Sequence, residues 1–114
     1  MQTKPTEAKR IVLDTAKAVW KLADPAGLIR LPLHLAPDTG ESVTLGQMLP
    51  GAQLTEADRP GGEEIFVFTG ELSDRHGSYG AGTWIRNPAG SRSGFGSRGG
   101  ATYWAKRGHL RQMS

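Results

Sequence analysis

The residues best able to do chemistry in this chain are three histidines, a pair of adjacent glutamates and a scatter of arginines. His34, His76 and His109 fall at no metal-ligand spacing. Strand parity separates His34 from Leu33 and Leu35, which directs it into the interior of a barrel; the competing reading is a half-exposed histidine with a hydrogen-bond partner. His76 reads as a turn residue, and no pattern assigns a role to His109. Glu63 and Glu64 are neighbours, so on a strand they face opposite ways and make no acid–base pair. No serine–histidine–acid set, phosphate loop or dinucleotide fingerprint is present. The stretch 90–100, GSRSGFGSRGG, holds the parts of an RNA contact: mobile backbone, guanidiniums for phosphate and Phe95 for stacking. It carries only Arg92 and Arg98, and reads better as a loop. Trp84, Trp104 and Tyr103 offer either a stacking surface or core and interface packing.

The elements that must position these residues are short. Around residues 10–22, apolar positions 12, 16, 19 and 20 fit one helix face, but two strands, Ile11–Leu13 and Val19–Leu22, are the reading adopted. Asp24-Pro25-Ala26-Gly27 is a turn. Leu28–Ala36 alternates, with Ile29, Leu31, Leu33 and Leu35 on one face, and Pro32 marks an edge or a bulge. A strand follows over Ser42–Leu49. Ala52–Arg59 is polar and poorly patterned. Glu64–Thr69 is the strongest strand, apolar on both faces, with Ile65 and Val67 opposed to Phe66 and Phe68. One face covers the barrel interior and the other awaits a second layer or a partner subunit. A corner at Ser73–Gly80, a strand from Gly82 to Arg86, the loop 90–100, a strand over Ala101–Lys106 and a basic tail from Arg107 complete the chain. About eight short strands between Gly/Pro turns predict an all-β barrel or sandwich.

Composition agrees. The chain has 114 residues, room for one domain. Its 16 glycines and 7 prolines fit many tight turns and account for much of a hydrophobic share of only 37%. With no cysteine there is neither a disulfide nor a thiolate metal site. No apolar run approaches the ~20 residues of a membrane span. The first ten residues lack a secretory apolar segment, so the expected location is the cytoplasm. A net charge of +3 permits weak polyanion contact without requiring it.

Two spaced patterns carry more. The first is Gly51, five residues, Ala57-Asp58-Arg59, three residues, Glu63, six residues, Gly70. The second is Gly82, five residues, Pro88-Ala89-Gly90, two residues, Ser93, three residues, Ser97. Both spacings resemble the two motifs of the cupins. The stretch from Pro60 to Ser91, PGGEEIFVFTGELSDRHGSYGAGTWIRNPAGS, is more narrowly similar to the cupin domain of ChrR-type anti-sigma factors. It is also similar to that domain's relatives in the dihydroxyacetophenone and acetylacetone dioxygenase group. The close match covers roughly 51–110. The resemblance implies an all-β fold, a small cupin-type double-stranded β-barrel (jelly roll), as a single domain over 1–114 with loose tails at 1–9 and 111–114.

In that family, three imidazoles and one carboxylate converge on Fe, Mn, Zn or Ni. Here Ala57 and Arg59 stand for the first two imidazoles and Ser93 for the third, leaving only Glu63. Alanine and guanidinium do not ligate, and a hydroxyl ligates poorly. The expected site is therefore a barrel pocket of Ala57, Arg59, Glu63, Ser93 and His34 without a cofactor. Two placements of Arg59 compete: inward, where it takes the metal's position and pairs with Glu63, or outward to solvent beside Glu56 and Asp58. Three functions follow. The first is a metal-free, ChrR-like cupin binding a small ligand or a protein partner, paired as a homodimer through a strand face. The second is a dioxygenase-like enzyme whose metal is held by other ligands, such as Glu63 with His34. The third and least favoured is a nucleic-acid binder using Arg92, Arg98, Arg107 and Arg111. The anti-sigma role itself, which implies a zinc-binding helical domain, is not expected of a chain of this length without cysteine.

Overall fold

The computed structural model describes residues 9–23 and 27–111. The tails expected at 1–9 and 111–114 fall outside these except for Lys9 and Arg111, as do Asp24, Pro25 and Ala26 of the first turn. Among the described residues there is no helix. The described residues form nine strands, β1 (Lys21–Ala23), β2 (Leu28–Ala36), β3 (Glu41–Met48), β4 (Ala52–Arg59), β5 (Glu63–Asp74), β6 (Gly77–Gly80), β7 (Trp84–Asn87), β8 (Ser91–Ser97) and β9 (Ala101–Arg107).

All pairings are antiparallel, and β5 joins two sheets. Its first half lies between β9 and β7, in the sheet that continues through β3 and β2 to β1. A bulge between Val67 and Thr69 turns the strand. Its second half then pairs with β6 and touches β8, whose other neighbour is β4. One long strand that changes sheets curls the structure into a jelly roll.

Inward side chains of both sheets form one core. Leu28, Met48, Ile65, Val67, Leu72, Phe95 and Tyr103 are its large members. Phe95 of β8 meets Tyr103 of β9 edge to face, ring centroids 5.2 Å apart, which ties the sheets together. Phe68 and Trp84 stay about half exposed on the outer face, and Arg86 lies over the Trp84 ring at 4.8 Å. The three aromatic residues considered together thus part company: Tyr103 is core, Trp104 is partly buried on the outer face opposite Phe66, and Trp84 is surface.

Four sequence expectations need correction. Ile11–Leu13 forms no strand: Asp14 accepts hydrogen bonds from the amides of Ala16 and Lys17 and closes a turn after it, and the strand expected over Val19–Leu22 starts later, as β1. The apolar face assigned to β2 is interrupted, because a bulge between Pro32 and His34 reverses parity halfway along. Ala52–Arg59, read as unpatterned, is a full strand. The Gly/Ser/Arg loop is strand β8, with Ser93, Phe95 and Ser97 buried. Its glycines signal close approach here. A Cβ on Gly94 would lie 2.6 Å from both the Leu54 carbonyl and the Glu56 amide, at the β4 bulge.

Candidate functional site

The register determines what meets at the centre of the barrel. Glu63, the first residue of β5, lies directly opposite Arg107 on one side and Asn87 on the other. On the facing sheet Ala57 is paired with Ser93, and Arg59 with Ser91. Antiparallel partners share a face, so these positions project inward from two sheets onto one point.

Glu63 is fully buried, yet each of its oxygens is occupied. Ser93 Oγ donates a short hydrogen bond to Oε1, and Asn87 Nδ2 donates to the same atom at 2.9 Å. Arg107 Nε donates to Oε2 at 2.7 Å. Arg59 Nε stands 3.5 Å from Oε2 and donates to Ser93 Oγ at 3.2 Å. The inward placement of Arg59 is thus the one found. Burial alone acts to raise the Glu63 pKa; the Arg107 charge, the Ser93 and Arg107 hydrogen bonds and the Arg59 charge outweigh it and hold the carboxyl below its usual range. For Arg59 the balance goes the other way. Burial and the like charge of Arg107 pull its guanidinium below the ordinary value, against the opposing pull of Glu63.

The sequence reading missed Arg107 and Asn87, having placed one in a tail and the other at a strand end. The signal was available in the parity of the strands. Ala101, Tyr103 and Ala105 are the buried set of β9, so one more step of two residues turns Arg107 inward. Ile85 points Asn87 the same way on β7. His34 does not join the cluster. It pairs with Val43, whose partner Lys106 faces Glu64. That row lies on the outer face of the sheet, where His34 borders a cleft with Ile11, Leu13, Thr15 and Leu33. The parity reversal at the β2 bulge puts it there. His109 also lies outside, in a short contact with Glu64, which is bonded to Arg86 at 3.1 Å. The arginines proposed for nucleic acid are partly committed: Arg107 to Glu63, and Arg92 to Asp58 at 3.3 Å.

A cleft of about 390 Å³ opens beside the cluster, between the β2–β3 turn, the β4–β5 turn and the end of β9. Arg59, Arg107, Ser42 and Pro60 line it with Gly61 and Gly108. Backbone meets backbone along its wall: Gly108 has φ +81°, and a Cβ there would come within 2.3 Å of the Gly40 carbonyl oxygen.

The donor set at this centre is a poor one for a transition metal. The one carboxylate is saturated by a hydroxyl, an amide and a guanidinium, and a cation would face two arginines. Ala57 offers a methyl group where a ligand would be needed. Among the described residues no three of His, Cys, Asp and Glu are grouped so that they could hold a metal.

The family model of the ChrR cupin-like domain matches residues 8–111. Solved structures share the fold at low identity. A protein of Methylibium petroleiphilum PM1, provisionally assigned as an acetylacetone dioxygenase, superposes with a TM-score of 0.81 at 16% identity, over 95% of this chain and 81% of that one. An acetylacetone dioxygenase of Acinetobacter johnsonii gives 0.74 at 14%, over 94% and 78%. A chain of the complex of Rhodobacter sphaeroides SigE with the anti-sigma ChrR gives 0.70 at 14%, over 82% of this chain and 51% of that one. A search of curated proteins finds no match.

Proposed function

Given that the chain belongs to the ChrR cupin-like domain family, we propose that it acts as a binding module without a metal and without catalysis. The observation that carries this reading is the saturated Glu63 carboxylate, buried and held by Ser93, Asn87 and Arg107 with Arg59 beside them. A guanidinium stands where the resemblance puts a metal ion. To admit a cation, the barrel would have to expel Arg59 and strip Glu63 of its donors, leaving buried polar groups unpaired. Elemental analysis of untagged protein, purified without chelator and then incubated with Fe, Mn, Zn or Ni, tests the proposal. Far less than one metal per chain is expected. One equivalent would overturn it and bring forward the dioxygenase-like reading, with ligands other than those mapped here.

A second reading concerns partners. Phe68 and Trp84 are about half exposed on one sheet face, and Val19 and Leu22 are more than four-fifths exposed near the β1 edge. Such apolar surface supports a protein contact, a second copy of the chain being the simplest. Sedimentation of the purified protein over a concentration series checks it, with dimers as the expected species.

A further inference from the structure

We propose that the cleft beside the barrel centre binds a small organic monocarboxylate, gripped by the guanidiniums of Arg59 and Arg107. The inference rests on the metal-free reading and names the ligand class of the same site.

The first argument is charge. Two arginine side chains, each only 16% exposed, share a single buried carboxylate. The cluster of Glu63, Arg59 and Arg107 therefore carries an excess of positive charge in a poorly hydrated place, and the Arg30 charge acts on Arg59 and Tyr103 in the same sense. The other acid on the cleft wall does not cancel it, because Asp58 is 81% exposed and paired with Arg92. Excess positive charge in such a place calls for an anion.

The second argument is unused bonding capacity. Arg107 uses Nε on Glu63, while its Nη2 is buried with no hydrogen-bond partner. Arg59 likewise turns Nε inward, to Glu63 and Ser93. A buried donor without a partner is costly, and a carboxylate is the group that meets a guanidinium edge with two parallel bonds. Burial, then the charges of Arg107 and Arg30, act against the charge of Arg59 and lower its pKa, with Glu63 opposing them. The third argument is shape. A volume of about 390 Å³ with Pro60 and glycine backbone on its walls suits a compact organic acid.

Benzoate is the probe, with benzamide as its neutral analogue and inorganic phosphate as the more highly charged anion. Titration calorimetry at low ionic strength on EDTA-treated wild-type protein is expected to show one benzoate per chain, no benzamide and weaker phosphate. Arg59→Gln is expected to weaken benzoate at least tenfold, as loss of a charged hydrogen bond implies. Should Arg59→Gln fail to fold, Arg59→Lys keeps a cation over Glu63 without the planar fork, and is expected to weaken benzoate several-fold. Binding of benzamide as well as benzoate, binding of neither, preference for phosphate, or benzoate binding indifferent to the arginine substitution would each overturn the proposal. The two readings fail differently. Benzoate binding that needs restored iron or manganese refutes the metal-free reading. Absence of binding with and without metal refutes the carboxylate site alone.

Discussion

Replacing Arg107 with methionine is the most informative perturbation of the barrel centre. The substitution keeps much of the side-chain volume and removes the 2.7 Å bond to Glu63 Oε2. Glu63 has no exposed surface, so water cannot substitute. Breaking a buried pair from one side costs roughly 3–5 kcal/mol, because a charge is left without compensation. Here Arg59 remains 3.5 Å from the same oxygen and softens the loss, which puts the expected value near the lower end, about 3 kcal/mol. At roughly 4 °C per kcal/mol for a domain of this size, the melting temperature falls by about 12 °C. The control is Arg86→Met. Arg86 bonds Glu64 at 3.1 Å, but its side chain is 54% exposed, and such a pair contributes about 1 kcal/mol or less.

Urea denaturation followed by tryptophan fluorescence gives both free energies. A double variant, Arg107→Met with Glu63→Gln, supplies the decisive comparison. It removes the charge as well as its partner, so it is expected to recover more than half of the loss seen in Arg107→Met alone. If Arg107→Met and Arg86→Met cost the same, or if the double variant is no more stable than Arg107→Met, then Glu63 does not depend on Arg107 for compensation of a buried charge. The account of the site would be wrong.

Acid should act through the same residue. Its folded pKa lies below the unfolded one, so the stability it contributes is complete above the unfolded value and is lost as pH falls through the folded value. Melting temperatures measured downward from neutrality should decline in the acid range more steeply for wild type than for Glu63→Gln, and parallel curves would contradict the assignment. The Tyr103 hydroxyl is buried with no hydrogen bond of normal geometry, although Arg107 and Arg30 are its charged neighbours. Tyr103→Phe should therefore leave the denaturation midpoint unchanged or raise it; a loss above about 1 kcal/mol would reveal a bond to that hydroxyl.

Periodicity and turn chemistry made the strands at Leu28–Ala36, around Val43 and Leu45, at Ile65–Val67 and at Ala101–Lys106 legible, because each either alternates in polarity or, at Ile65–Val67, is apolar on both faces, between glycine or proline turns. The strands carrying the site were less legible for a physical reason. β4 and β8 line a polar centre at one end, where their inward residues are Ala57, Arg59, Ser91 and Ser93 and show no hydrophobic alternation. In β8 the glycines imitate a loop, although Gly94 is required by backbone contact with the β4 bulge. His34 was misplaced because a bulge is invisible to parity counting, and one extra residue moves every following side chain to the opposite face.

The spaced motifs proved informative about geometry and silent about chemistry, and the structure explains the division. Spacing fixes which Cα positions sit at the ends of β4, β5 and β8 and whether their side chains converge. Gly62, Gly70, Gly82 and Gly90, all at positive φ, hold those corners whatever the inward residues are. What converges is a separate matter of reach and charge. A guanidinium at position 59 is long enough to cross toward Glu63, and Arg107 arrives from β9, outside both motifs, through the register alone. Glu63 meets two cations only because of this third contributor. A reading confined to the motif positions finds a neutral Arg59–Glu63 pair and a closed site. With Arg107 included, the site has an excess positive charge, a buried donor without a partner and a cleft beside it. That imbalance makes an anionic ligand the expectation for the barrel.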